Sequence, residues 1–588
     1  MNMQDPHWSY TVLTTSLLLA DLFIRIGLSL RVIMHKRPYG VSLAWLVVVL
    51  LIPFLGGFFY LILGENRIPE KRTERARVSY NHYQHWLKTL RQRAPVSWQG
   101  LNPECAPLHR QAVTLVGLPA MAGNNLILFT DPEEIISSII AEIDKAESTC
   151  HMQYYIWQEG GRVDELIDAL IRAAARGVTC RILLDSIGSR DFLKGAIAGR
   201  MKAAGIRIQE SLPAGLIKAL FHRIDIRNHR KLTIIDGKLA FTGSHNMVDP
   251  EVFNKDAGVG KWIDVMVKVE GPVVETLAGT FISDWFLESD IGKFRSESLT
   301  NGLIKALFHR IDIRNHRKLT IIDGKLAFTG SHNMVDPEVF NKDAGVGKWI
   351  DVMVKVEGPV VETLAGTFIS DWFLESDIGK FRSESLTKDI ETVRQLGDIH
   401  PRPVAGEMAV QFVPSGPGFA PETIHSLLLT TIYAARKELI ITTPYLIPDD
   451  PLLVALKAAA QRGVKVAIIV PKKNNFRLVH YASRARYEEL AASGVEIHLF
   501  HGGLLHSKTI TVDRDFALFG SVNLDMRSCW LNFEATLFIY CRTFTEQLVA
   551  VQQEYLKLSD KLVLEDFQNR GHFEKFKENT CLLVSPLL

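Results

Sequence analysis

Residues 215–300 recur without a change as residues 302–387, with Asn301 between the copies. Two identical segments must seek the same partners, so whatever one of them folds into, the other is built to fold into as well. The unit is 86 residues long and occurs twice, unlike the serial repeats of 20–50 residues that stack into solenoids. Perfect identity means either a very recent duplication or a deliberate one, and both origins fit the sequence.

An older, diverged repeat lies beneath it. Ala173-Ala-Ala-Arg-Gly-Val178 leads into Thr179-Cys-Arg-Ile-Leu-Leu-Asp185, and Ala459-Ala-Gln-Arg-Gly-Val464 leads into Lys465-Val-Ala-Ile-Ile-Val470. Gly177 and Gly463 suit the left-handed position that ends a helix. Ala204-Gly-Ile-Arg-Ile208 and Ser493-Gly-Val-Glu-Ile497 repeat the pattern of helix end, glycine and strand. Strands alternating with helices of ten to fifteen residues predict two related α/β halves.

Each half carries the same polar set. The first has His229, Lys231 and Asp236, then Gly243-Ser244-His-Asn246; the second has His506, Lys508 and Asp513, then Gly520-Ser521-Val-Asn523. Copy two repeats the set at His316, Lys318 and Asp323, then Ser331 and Asn333. In a strand, residues i and i+2 share a face, so the His and Lys project together. The Asp has opposite parity at the strand's end, which suits a buttress better than a nucleophile. Imidazole can attack phosphorus or move protons near neutral pH. Lys and Asn donate hydrogen bonds to phosphate oxygens. Ser244, Asn246, Ser521 and Asn523 are weaker candidates for phosphate contacts, and Glu534 is a candidate for orienting a His. One such motif is weak; its return with GSxN at the same offset in two related halves makes the catalytic reading. No metal-ligand cluster is apparent, and no metal or other cofactor is expected.

The N-terminus is apolar. Thr11–Leu30 and Val41–Leu63 are each long enough for a helix spanning roughly 30 Å of hydrocarbon, joined by a short basic turn. Met1–Trp8 lacks the positive region of a secretory signal. Asp21 and Arg25 fall inside the first span, four apart, and are read as a mutually neutralised pair, with a polar contact inside a helix bundle as the alternative. Arg67, Lys71, Arg72, Arg75 and Arg77 follow the hairpin and favour a cytoplasmic face for the bulk of the chain. The six cysteines, at 105, 150, 180, 529, 541 and 581, include no CxxC and read as free thiols. With Lys+Arg 67 against Asp+Glu 65 the net charge is +2, which argues against a general polyanion binder such as a nucleic-acid protein.

The motif pair resembles the HKD signature of the phospholipase D superfamily. With the N-terminal hairpin, Tyr154-Tyr-Ile-Trp-Gln158, Asn246-Met-Val-Asp-Pro250, Trp262-Ile-Asp264, Val413-Pro-Ser-Gly-Pro-Gly418, Thr442-Thr-Pro-Tyr445, Asn523-Leu-Asp-Met-Arg-Ser528 and Ser585-Pro-Leu-Leu588, the chain is similar to bacterial cardiolipin synthases over nearly its whole length. The resemblance implies two phospholipase D-like α/β halves around a shared active site, preceded by the transmembrane hairpin. It implies a transferase that joins two phosphatidylglycerol molecules into cardiolipin and glycerol through a phosphatidyl-histidine, at the bacterial inner membrane with the catalytic part facing the cytoplasm. It carries the catalytic role to His229, Lys231, Asp236, His506, Lys508 and Asp513, without saying which His is the nucleophile. A hydrolase giving phosphatidic acid uses the same residues, and an inactive lipid-binding protein is the outcome if the duplication wedges the halves apart.

The expected organisation is a hairpin (1–64, helices about 11–30 and 41–63), a helical connector (65–122), a first half (123–300), the duplicate (302–387) and a second half (388–588). Either copy can dock on the scaffold of the first half; copy one, being nearer, is expected in the active site, with the exchange of the two copies as the alternative. Copy two is expected as a surplus appendage, its His316, Lys318 and Asp323 forming an alternative set.

Overall fold

The computed structural model describes residues 6–34, 39–52, 54–57, 60, 95–185, 188–211, 231–237, 239–247, 266–270, 281, 314–315, 319–322, 326–334, 349–361, 363–364, 404–416, 420, 422–474, 476–530 and 532–583. His229, His316, Lys318 and Asp323 lie outside them, as do the side chains of Ser244 and Asn246. Most of the expected connector, residues 65–94, also lies outside; its remainder includes a helix at Cys105–Val116. The chain divides into two compact units, one holding residues 1–69 with two short later segments, the other nearly all the rest.

In the first unit, α1 (Pro6–Met34) and α2 (Tyr39–Leu51) form a hairpin. Trp45, Val49 and Tyr60 pack with Val32, and the Trp45 and Tyr60 rings meet edge to face at 5.5 Å. Asp21 and Arg25 do pair, and they also tie the helices together. Arg25 donates to the Leu50 carbonyl at 2.8 Å, and Asp21 accepts from the Phe54 N–H at 2.9 Å. The second helix is shorter than the apolar run suggests. The helix is interrupted where Phe54 takes a φ of +52°, and helical backbone resumes at residues 55–57, with the Gly56 N–H donating to the Ile52 carbonyl at 3.0 Å. Among the described residues, no helix is long and apolar enough to cross a membrane.

The second unit contains two halves with one topology. In the first half the strands are β1 (Met121–Phe129), β2 (Thr149–Tyr154), β3 (Thr179–Asp185), β4 (Arg207–Ser211), β5 (Leu232–Ile235), β6 (Leu239–Asn246) and β7 (Met266–Glu270). Copy two contributes β8 (Leu319–Ile322), β9 (Leu326–Gly330) and β10 (Met353–Glu357). The second half is β11 (Met408–Ser415), β12 (Glu438–Thr442), β13 (Lys465–Pro471), β14 (Glu496–Phe500), β15 (Thr509–Val512), β16 (Phe516–Gly520) and β17 (Asn532–Tyr540). β2–β3–β4 are parallel neighbours, as are β12–β13–β14. β15 runs antiparallel to β12, then β16, β17 and β11 follow antiparallel in turn. β5, β6, β7 and β1 repeat that order beside β2. β1 meets β11 at Met121 and Asn124, which joins the two sheets.

The parallel strands are buried along their lengths, as strands covered by helices must be: all six residues of β2 are buried, and six of seven in β13. α3 (Pro132–Lys145) starts on Asp131, whose side chain accepts from the Glu133 N–H, and α4 (Arg162–Ala175) follows β2. α5 (Asp450–Gln461) is capped the same way by Asp449. Gly177 and Gly463 do take the left-handed conformation, at φ +92° and +87°.

The described strands of copy two also pair with the scaffold of the first half. β10 pairs with β1 from Asn125↔Glu357 to Phe129↔Met353, and β7 pairs with the same residues from Asn125↔Glu270 to Phe129↔Met266. β8 pairs with β2 through His151↔Ile321, in the register that Cys150↔Ile235 sets for β5. The physical reason is the identity of the copies: the scaffold offers both the same apolar faces and the same turn geometry, and both answer in the same register. The apolar strand Leu319–Ile322 therefore has a partner.

The described motif aspartates, Asp236 and Asp513, hold the backbone. Asp513 accepts from the backbone N–H groups of Arg436, Lys437 and Glu438 at 2.9, 2.7 and 2.8 Å. Asp236 accepts from Glu147, Ser148 and Thr149 in the corresponding place. Both aspartates sit at φ +51°, which the three converging donors hold in place. Asp513→Ala is expected to destabilise the second half by about 2 kcal/mol, the scale of hydrogen bonds to a charged acceptor. A urea titration of purified Asp513→Ala beside the unaltered protein checks this.

Candidate active site

His506 and Lys508 lie just ahead of β15, and both are buried. As their spacing predicts, they reach one place, and the group they meet there is Asp351. The Nδ1 of His506 is 2.5 Å from an Asp351 carboxylate oxygen, and the Lys508 ammonium is 3.8 Å from the other oxygen. Asp351 is wholly buried. The Lys508 ammonium also donates to the His506 carbonyl, which folds the pair into a single unit. A strand-like contact holds Asp351 in position: Trp349–Ile350 runs parallel to Leu504–Leu505, directly before His506.

Asp351 belongs to copy two; its twin in copy one is Asp264, outside the described residues. The spacing of the HKD motif does not single Asp351 out, although Trp262-Ile-Asp264 is one of the segments that carry the family resemblance. Its pseudo-symmetric counterpart is Glu534, as the serines reveal. The Ser331 N–H donates to the Val352 carbonyl, and the Ser521 N–H donates to the Ala535 carbonyl. So Asp351 and Glu534 each precede the residue that receives the GSxN serine. The separation is 20 residues in one half and 13 in the other by numbering, which hides the equivalence in sequence. Glu534 is fully buried; Ser521 donates to it, and the Asn532 amide donates to it at 3.2 Å. Ser521 is thereby engaged with Glu534 in this structure, and Asn523 is buried close by.

From the first half, the structure places Lys231 fully buried, its ammonium 5.8 Å from the centre of the Tyr155 ring. Nearby, Tyr154 and Thr233 share a hydrogen bond at 2.5 Å between β2 and β5. Lys231 and Lys508 both act on Asp351 electrostatically. Burial pushes the Asp351 carboxyl well above its usual range, and the two lysines pull it back. Burial likewise pushes the Lys508 ammonium down to about 7, against the pull of Asp351, Glu534 and Asp525. Lys231 and Lys508 thus stand among buried carboxylates, with Asp351 between them and Glu534 and Asp525 also acting on Lys508. Among the described residues no group of His, Cys, Asp and Glu forms a metal centre. The six cysteines are free thiols.

Fold and site together define a two-half phospholipase D-like enzyme. A family model described as "Cardiolipin synthase, PLD-like domain" matches residues 139–285 and again 428–555, and one described as "Phospholipase_D-nuclease N-terminal" matches residues 24–65. Cardiolipin synthase A of Proteus mirabilis is 34% identical over 579 residues, which is 98% of this chain and 99% of that protein. Cardiolipin synthase A of Pectobacterium atrosepticum is 35% identical over the same extent. A solved phosphatidylserine synthase from Haemophilus influenzae aligns with 82% of this chain and 100% of its own, at 14% identity and a TM-score of 0.47. The chain belongs to the bacterial cardiolipin synthase family.

If burial holds Lys508 near 7, a phosphate anion arriving beside it will raise that value. Titration of protein carrying ¹⁵N-labelled lysine is expected to show an amine whose midpoint rises from about 7 when a non-reactive phosphodiester is added, and no such amine in Lys508→Gln.

Proposed function

We propose that the protein joins two phosphatidylglycerol molecules into cardiolipin, releasing glycerol. The observation that carries this reading is the buried His506–Lys508–Asp351 unit, in a family member whose motif recurs in both halves. Asp351 holds Nδ1, so chemistry at His506 falls to Nε2. One motif His attacks the phosphorus of the first phosphatidylglycerol. The bond from phosphorus to the glycerol oxygen breaks as an N–P bond forms, and the other motif His gives the departing oxygen its proton. A hydroxyl of the second phosphatidylglycerol then loses its proton to that same His and attacks phosphorus, and the N–P bond breaks. Atoms and charge balance without any further reactant.

Lys231, Lys508 and the corresponding Asn side chains stabilise the charge on the phosphoryl oxygens. By pseudo-symmetry Glu534 is the carboxylate that orients the first-half His, as Asp351 orients His506. Asp236 and Asp513 act through the backbone and do not touch substrate.

The hairpin of α1 and α2 is the membrane anchor in this reading. Large apolar side chains stand exposed along it, among them Leu18 at 71%, Phe23 at 73% and Leu51 at 74%. A surface of that kind is stable against acyl chains and costly against water. Anchoring keeps the site among lipid substrates that never leave the bilayer. The expected place is the bacterial inner membrane, with the catalytic halves on the cytoplasmic side.

The decisive assay mixes purified protein with phosphatidylglycerol in mixed micelles and follows lipid products and glycerol together. One glycerol per cardiolipin is the expected result, and phosphatidic acid in place of cardiolipin would make the protein a hydrolase. His506→Ala is expected to lower turnover by at least about a thousand-fold, the scale at which a nucleophile or its acid–base partner contributes. Because the protonated Lys508 is the useful form, kcat/KM should fall about tenfold per pH unit above its value of about 7. Removing residues 1–64 should move the protein from the membrane fraction to the soluble fraction on cell fractionation.

A further inference from the structure

We propose that residues 302–387 are a second, equally competent occupant of the place taken by residues 215–300, so that the chain carries two interchangeable first-half catalytic sets. This rests on the reading of the site given above. The observations are the paired registers. Asn125–Phe129 of β1 faces Glu270–Met266 and Glu357–Met353 residue for residue. β5 and β8 meet β2 in one register, and Ile235 and Ile322, equivalent residues, lie side by side. Phe241 and Phe328, again equivalents, are directed to one and the same place in the core. One native position beside a given strand accepts one partner strand, so these are two claims on one place.

Both copies also show the side chains that the place requires. Copy one supplies Lys231 at the site and Asp236 on the backbone N–H groups of residues 147–149. Copy two supplies Asp351 to His506 and the Ser331–Val352 contacts behind it. Since the sequences are identical, every contact made by one is available to the other, and only the connecting lengths differ.

Those lengths nearly cancel. Seating copy one closes about 20 residues from Ser211 to Leu232 and about 140 from Glu270 to Met408; seating copy two closes about 110 from Ser211 to Leu319 and about 50 from Glu357 to Met408. The short leader favours copy one and the short trailer favours copy two. Loop-closure scaling leaves copy one ahead by about three to one, so both forms are populated.

Two measurements on the full-length protein test this. In the first, Ile127→Cys is combined with Lys268→Cys or with Lys355→Cys, the protein is oxidised, and crosslinked peptides are identified by mass spectrometry. Both pairs are expected to form a 127–268 or 127–355 disulfide. A crosslink from only one pair, or from neither, overturns the proposal, and this readout does not depend on what the enzyme makes. In the second, cardiolipin formation is compared among His229→Ala, His316→Ala and the double variant. The expected residual activities are about a quarter, about three quarters and background, following the three-to-one seating. A single variant already at background overturns the proposal. If the unaltered protein forms no cardiolipin, the proposed reaction fails while the crosslinks still decide the seating.

Discussion

The site depends on one buried contact, the Asp351 carboxylate on Nδ1 of His506. The two residues come from different repeats of the fold, so the contact exists only when a duplicated segment is seated against the second half. Without it, His506 and Lys508 would be left buried with their main acidic partner gone. Breaking a buried ion pair by removing one member costs on the order of 3–5 kcal/mol. The same contact fixes which imidazole nitrogen is available, so stability and chemistry draw on one interaction.

The motif aspartates work at a different level. Asp236 and Asp513 gather three N–H groups each, at the entrance to β2 and to β12. Those are the central strands that the motif strands β5 and β15 lie against. The cap therefore sets the register in which His and Lys are delivered. An H-x-K-x4-D motif is in this sense two devices in one run: a pair of groups for the substrate, and a bolt that holds their strand.

The duplication leaves this machinery intact because its parts are local to the repeat. Each copy contains a whole strand set, its own motif and its own orienting aspartate. The scaffold strands β2, β3 and β4 occur once, so they limit the protein to one first half at a time. An exact repeat inserted within a domain usually threatens folding by exposing unpaired strand edges. Here the spare copy is an occupant in waiting for an edge that already exists.

Much of the fold was legible in sequence. The helix–glycine–strand pattern at Gly177 and Gly463 located both halves, and the i, i+2 spacing of His506 and Lys508 placed them together. The opposite parity of Asp513 marked it as a buttress, because strand periodicity and side-chain direction are local properties. The Asp21–Arg25 pair was legible for the same reason. The interruption of the second N-terminal helix was not, since hydropathy ran on while the backbone broke its helical course at Phe54. Nor was Asp351, which reaches His506 from a residue 155 positions earlier, over a separation the two halves do not share. By itself, the sequence determined the two related halves, the paired motifs and the identity of the copies. Only the tertiary structure decided which carboxylate meets which histidine and that both copies address the same strands, because those facts rest on contacts between segments far apart in the chain.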